Sequence, residues 1–103
     1  MSVMMSFTIF PTDKGISVSE YVSKVVENVR NSGFRYTLTP MSTIVETDTM
    51  EEALKIVNES YLILKPHSER IYLSLTMDIK NEVGSRMEQK IQSVESKIGP
   101  VNK

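Results

Sequence analysis

From Gly33 to Glu46 the chain places a helix stop ahead of two short runs, Arg35 to Leu38 and Thr43 to Glu46, folded about Pro40. β-branched and aromatic residues on both sides of a proline turn mark a β-hairpin. This hairpin is rich in hydroxyl groups, and hydroxyls on a half-buried sheet either satisfy one another or hold a ligand. If the turn centres on Pro40 and Met41, Leu38 faces Thr43, Tyr36 faces Val45 and Arg35 faces Glu46. Tyr36, Leu38, Thr43 and Val45 then point to one side, and Arg35, Thr37, Ile44 and Glu46 to the other. Tyr36 and Thr43 carry two hydroxyls into an otherwise apolar layer. A buried hydroxyl without a partner costs about 1–3 kcal/mol, and both a backbone carbonyl and a bound ligand can supply that partner.

The flanks of the hairpin repeat one pattern. Val3, Met5, Phe7 and Ile9 alternate with Ser2, Met4, Ser6 and Thr8, a period of two that marks a strand ended by Pro11. Ser17 and Glu20 have capping-box spacing, so a helix should begin there, with Val18, Tyr21, Val22, Val25 and Val29 as its apolar stripe and Gly33 as its left-handed stop. Thr49 and Glu52 repeat the spacing, and Ala53, Leu54, Val57, Tyr61 and Leu64 predict a second amphipathic helix up to Pro66. Ile71, Leu73, Leu75, Met77 and Ile79 alternate strictly with polar residues, which reads as a central or near-central strand. Met87, Ile91, Val94 and Ile98 predict a third helix that stops at Gly99 and Pro100.

The order β-α-β-β-α-β followed by α is an α+β, ferredoxin-like split β-α-β with an antiparallel sheet and an additional C-terminal helix. Helices one and two would cover one sheet face. The third has a stripe with no place left on that face, so it is expected at a sheet edge or against a neighbouring subunit.

At 103 residues the chain suits one domain spanning 1–103, with a core too modest to exclude help from self-association. Twelve basic and 13 acidic residues give a net charge of −1, so no overall field draws it to nucleic acid or anionic lipid. The sheet face that would stack RNA bases offers Met4, Ser6, Thr8, Ser74 and Thr76 around Tyr72, which is no aromatic platform. The same face, with Phe10 and Ile44, better suits a sheet-to-sheet contact between subunits. Cysteine is absent, which removes thiolate metal sites and cysteine nucleophiles. His67, beside Pro66, has no second ligand-type neighbour and reads as a loop residue, so neither a metal nor a catalytic site is expected. Glu51, Glu52 and the acids of the last helix read as solvated faces, and the seven methionines as adaptable packing. No apolar run approaches the ~20 residues of a membrane span, and the cytoplasm is the default location.

Beyond pattern, the chain resembles the small thiamine-binding-protein family of the YkoF kind. The likeness rests on Pro11 after strand one, on Ser17, Val18, Ser19, Tyr21 and Val22 at the first helix, and on Gly33, Tyr36, Pro40, Met41, Thr43 and Glu46 around the hairpin. Arg70, Lys90 and Val94 extend it towards the C-terminus. The resemblance implies a ferredoxin-like subunit assembled into dimers or tetramers through its sheets. It further implies that thiamine or its hydroxymethylpyrimidine portion is held as a ligand in a cleft, with no catalytic step and no separate cofactor. Carried over by position, Ser17, Ser19, Tyr36, Thr43 and Glu46 would line that cleft. The sequence departs from the family at Ser42 and Thr47, where glycine is frequent, and added side chains there would narrow a pocket. Strand parity also sends Thr43 and Glu46 to opposite faces, so both touch one ligand only across a bulge or at an edge.

The expected activity is therefore non-catalytic binding of thiamine or a related pyrimidine by a homo-oligomer, for sequestration or sensing. A regulatory domain of the amino-acid-binding kind, with its effector at a subunit interface, and a structural oligomer without ligand are the alternatives.

Overall fold

A computed structural model describes residues 1–15, 18–81 and 86–103. Its elements are β1 (Ser2–Pro11), α1 (Ser19–Asn31), β2 (Arg35–Leu38), β3 (Thr43–Thr47), α2 (Met50–Leu64), β4 (Ile71–Lys80) and α3 (Arg86–Ile98), with a 3₁₀ turn at Lys65–His67. The strands form one antiparallel sheet in the order β2-β3-β1-β4, the ferredoxin-like arrangement, with α3 added after it.

Alternation on β1 decides where the core sits. Val3, Met5, Phe7 and Ile9 are all but completely buried beneath Val25 and Val29 of α1 and Ala53, Ile56, Val57 and Leu64 of α2. Each such side chain gains about 1.5–3 kcal/mol from leaving water, so this single apolar face carries much of the fold. Ser2, Met4, Ser6, Thr8 and Phe10 face the other way, onto the side of the sheet that α1 and α2 leave uncovered.

The helix boundaries follow local chemistry. The capping box of α2 is complete: the Glu52 N–H donates to Thr49 Oγ1 at 3.1 Å, and the Thr49 N–H donates to Glu52 Oε1 at 2.9 Å. At α1 the first helical residue is Ser19 and Val18 occupies the cap position without a side-chain bond. The expected box partner Ser17 lies outside the described residues. Gly33, at φ +82°, turns the chain out of α1 as its lack of Cβ allows.

Two expectations need correction. β4 is an edge strand, not a central one: it pairs only with β1, along its whole length from Ser2↔Lys80 to Pro11↔Ile71. Strict alternation reports one apolar face but not the number of neighbours, and Leu73 and Ile79 accordingly stay 42% and 47% exposed. On α2 the buried stripe is Ala53, Ile56, Val57, Ser60 and Leu64, while Leu54 and Tyr61 face outward. Ser60 belongs to the core because its hydroxyl donates to the Ile56 carbonyl one turn back, at 2.8 Å.

The hairpin has the expected register, Arg35↔Glu46 through Leu38↔Thr43. Its turn is tied by Thr39, whose hydroxyl donates to the Ser42 carbonyl and accepts from the N–H groups of Met41 and Ser42. A proline at the first corner and a threonine hydroxyl acting as a backbone mimic set the bend without glycine.

Candidate functional site

Unequal strand lengths open a cleft. β1 has ten residues and β3 five, and their ladder stops at Phe7↔Thr43. Past that rung β1 continues to Pro11 with no strand on its β3 side. The gap is bounded by Phe7 to Phe10 of β1, by the cap residue Val18 and by Val22, Val25 and Val26 of α1, and by the hairpin tip from Leu38 to Thr43. It is open to solvent, encloses about 190 Å³ and is lined chiefly by apolar atoms.

Among the side-chain hydroxyls around it, Thr43 stands apart. Ser6 donates to Ser42 Oγ at 2.8 Å, Thr8 to the Met41 carbonyl at 2.8 Å, and Thr39 to the Ser42 carbonyl at 2.9 Å. Thr43, on the helix side of the sheet and 7% exposed, makes no side-chain hydrogen bond within the described structure. Thr43 as a residue is nearly buried, but no side-chain oxygen among the described residues is both sealed from solvent and unpartnered, so this hydroxyl opens to the cleft and is available to a ligand or a water.

The structure disperses the other residues expected at the site. Tyr36 sits one rung back on β2, opposite Val45, half-buried against the core and outside the cleft lining. Ser19 is exposed at the first position of α1, and Ser17 lies outside the described residues. Glu46 is on the opposite sheet face near the far end of β3, as strand parity requires. No bulge interrupts the β1–β3 ladder between them, so Glu46 and Thr43 do not share one small site. The cleft residues that sequence reasoning missed are Val18, Val22, Leu38 and Met41. Periodicity places Val18 and Val22 on the apolar stripe of the first helix, and the shortness of β3 relative to β1 is what turns that end of the stripe toward the cleft.

Glu46 has other work. Its Oε2 accepts from Ser2 Oγ at 2.7 Å and from the Arg86 N–H at 2.9 Å, and its Oε1 accepts from the Met87 N–H at 3.4 Å. It thereby answers the first amides and the positive end of α3. Arg86, 8% exposed, reaches back to donate to Ser2 Oγ, the Ser2 carbonyl and Asp78. Arg35 pairs with Glu88 on α3. The start of α3 is thus pinned across one end of the open sheet face by ionic hydrogen bonds.

No charged side chain lines the cleft among the described residues, and no group of three or more His, Cys, Asp or Glu among them could hold a metal ion. The carboxylates with lowered pKa are elsewhere. Hydrogen bonds from the Ser68 hydroxyl and the Glu69 amide hold Asp13 below its usual range, and Lys103 and the Val101 amide do the same for Glu95. Asp13 is exposed and Glu95 half-buried, and each ties two segments together. The cleft offers apolar surface, one free hydroxyl and main chain, a set suited to binding a neutral ring.

A family model described as thiamine-binding protein matches residues 5–95. The chain belongs to that family. A UPF0045 protein of Mycobacterium bovis is 30% identical over 95 residues, covering 92% of this chain and 93% of its own. A UPF0045 protein of Methanothermobacter thermautotrophicus is 29% identical over 83 residues, covering 80% and 84%. Among solved structures, a hypothetical protein of Methanocaldococcus jannaschii superposes with a TM-score of 0.79 at 29% identity, covering 90% of this chain and 95% of that one. A Thermotoga maritima protein assigned provisionally to thiamine biosynthesis or salvage gives 0.78 at 26% identity, covering 91% and 99%.

Within this thiamine-binding family the two departures at glycine leave the cleft intact. The Ser42 hydroxyl is engaged with Ser6 on the open sheet face, and Thr47, 2% exposed, donates to the Thr49 carbonyl at 2.8 Å near the start of α2. Neither side chain fills the space beside Thr43.

Proposed function

We propose that this protein binds thiamine or its hydroxymethylpyrimidine portion in the cleft between α1 and the hairpin tip, as a carrier or sensor without a chemical step. The observation that carries this reading is the unpartnered Thr43 hydroxyl facing an apolar slot open to solvent. Family membership supplies the ligand class. A volume of about 190 Å³ is below the ~300–1,000 Å³ of pockets that enclose drug-sized ligands, and it suits one substituted ring. The pyrimidine half is neutral and flat and fits between the valines of α1 and the hairpin. The cationic thiazolium stays at the mouth, because an unpaired charge in an apolar slot costs several kcal/mol.

Self-association belongs to the same proposal. The open sheet face shows Tyr72 at 51% exposure, its ring tilted against Phe10 with 5.2 Å between ring centres, and the α3 stripe leaves Val94 38% and Ile98 73% exposed. These surfaces support a dimer or tetramer joined through its sheets, with α3 against a neighbouring copy.

Isothermal titration calorimetry with thiamine, its phosphates, hydroxymethylpyrimidine and a panel of amino acids tests the ligand. Heat with the pyrimidine-containing compounds alone is expected. Saturable heat with an amino acid and none with the pyrimidines would move the protein to the regulatory alternative, and silence throughout would leave a structural oligomer. Sedimentation velocity gives the assembly; a single monomeric species at tens of micromolar would overturn that part.

A further inference from the structure

We infer that the main-chain N–H and C=O of Ile9 form the recognition edge of the cleft, and that the bound ring completes the β1–β3 ladder as one additional rung. This rests on the proposed function above and deepens it, because it specifies which edge of the ligand is read.

The direction of each backbone group follows from alternation. In an antiparallel ladder successive residues turn their N–H and C=O to opposite neighbours. Thr12 donates its N–H to the Arg70 carbonyl at 2.9 Å, in line with the β1–β4 register, so even-numbered residues of β1 face β4. Odd-numbered residues then face β3, where Val3, Met5 and Phe7 meet Thr47, Val45 and Thr43. The hairpin agrees: the Thr39 N–H donates to the Ser42 carbonyl at 2.9 Å, which turns Ser42 toward β2 and Thr43 toward β1. The next groups aimed into the gap are those of Ile9, and Pro11 beyond it has no N–H to offer.

Met41 is the residue that would continue the register opposite Ile9, but its main chain is committed elsewhere. Its N–H donates to Thr39 Oγ1 at 3.2 Å and its carbonyl accepts from Thr8 Oγ1 at 2.8 Å. Ile9 is only 4% exposed and borders the cleft. A buried donor and acceptor with no protein partner must be answered by water or by ligand. Both groups belong to one extended residue and point the same way, so they match a ring that carries an acceptor nitrogen next to an exocyclic amine. A 4-aminopyrimidine has that edge at its N3 and amino group. Thr43, on the last rung, stands beside the same position to take a further polar substituent.

Backbone amide exchange and ¹⁵N-resolved NMR of the full chain test this, with 4-amino-5-hydroxymethyl-2-methylpyrimidine as probe and its 4-oxo counterpart as control. The oxo compound presents a donor where an acceptor is needed and an acceptor where a donor is needed. In the free protein the Ile9 amide should exchange at least tenfold faster than those of Met5 and Phe7. On saturation with the amino compound it should slow at least tenfold and move downfield, and the 4-oxo compound should bind at least tenfold more weakly. An amino-pyrimidine complex that leaves the Ile9 amide exchanging at its free rate, or equal affinity for the two rings, overturns the recognition edge while the proposed function stands. Absence of binding by either ring and by thiamine overturns both. A free-state Ile9 amide as protected as Phe7 removes the orphan pair itself.

Discussion

The two ends of β3 differ in how completely their polar atoms are answered. At one end Glu46, Ser2, Asp78 and Arg86 exchange charge-assisted hydrogen bonds that seat α3 on the sheet. At the other, Thr43 and the main chain of Ile9 look into a slot walled by valines. Thr43 and Glu46 are three residues apart, and their types alone suit a ligand site equally well. Partnership separates them. A carboxylate already accepting from a hydroxyl and two helix amides gains little from a ligand, whereas a hydroxyl with no protein partner exchanges a water for a ligand at a net gain of about 0.5–1.5 kcal/mol. The satisfied cluster ties α3 to the sheet, and the other end is where the proposed ligand would find open polar groups.

The largest effect should come from breaking the satisfied end. Arg86→Ala removes the guanidinium from Ser2 and Asp78 and leaves buried acceptors unanswered, which should cost about 2–4 kcal/mol by urea denaturation. Thiamine affinity, measured where the variant is folded, should change less than threefold. An affinity loss of tenfold or more would join the two ends into one site and end the contrast drawn above.

Thr43→Val sharpens the same contrast with opposite signs. It keeps volume and deletes a hydroxyl that has no partner, so stability should stay level or rise by up to about 1 kcal/mol. Ligand affinity should fall about tenfold, equivalent to ~1.4 kcal/mol of lost interaction. Lower stability with unchanged affinity would assign Thr43 to the core and remove it from the cleft.

Much of the architecture is legible in the sequence because it rests on local rules: a period of two on β1, a capping box at Thr49 and Glu52, a proline turn that sets the hairpin register. What pattern could not supply depends on lateral neighbours. The alternation of Ile71 to Ile79 is the same whether a strand has one partner or two, so the edge position of β4 was invisible. Leu54 and Ile56 differ only in which way a helix is rotated on the sheet, and a stripe two residues wide fits either setting. For the cleft, the sequence singles out the hydroxyls around Pro40, and the structure places Thr43 in the lining of the gap beside that turn. The length mismatch between β1 and β3, which brings the valines of α1 into the lining, depends on where β3 loses its partner and has no marker in the local pattern. The role of Arg86 had no signal, because an arginine at a helix start opposes the dipole unless an acid such as Glu46 arrives from the sheet.

The smallest expected effect lies outside both ends of β3 and serves as their control. Asp13 follows β1 and ties that strand's end to the α2–β4 connection, accepting from Ser68 Oγ at 2.6 Å and the Glu69 N–H at 3.0 Å. These bonds favour the charged form, so the carboxyl releases its proton at lower pH in the folded protein than in the unfolded chain. The unfolded state then binds more protons across the interval between the two values, and stability rises with pH there. The contribution is fully present above the ordinary aspartate range and is lost as pH falls through the lowered folded value. Asp13→Asn removes the titration and keeps one acceptor, so urea midpoints measured from pH 5 downward should fall less steeply than in the unsubstituted protein. Affinity at neutral pH should be the same in both, because no bond of Asp13 reaches the cleft. A steeper acid loss in the variant would show that another group carries the acid sensitivity, and a change in neutral-pH affinity would show that the β1 terminus and the slot beside Ile9 move as one unit.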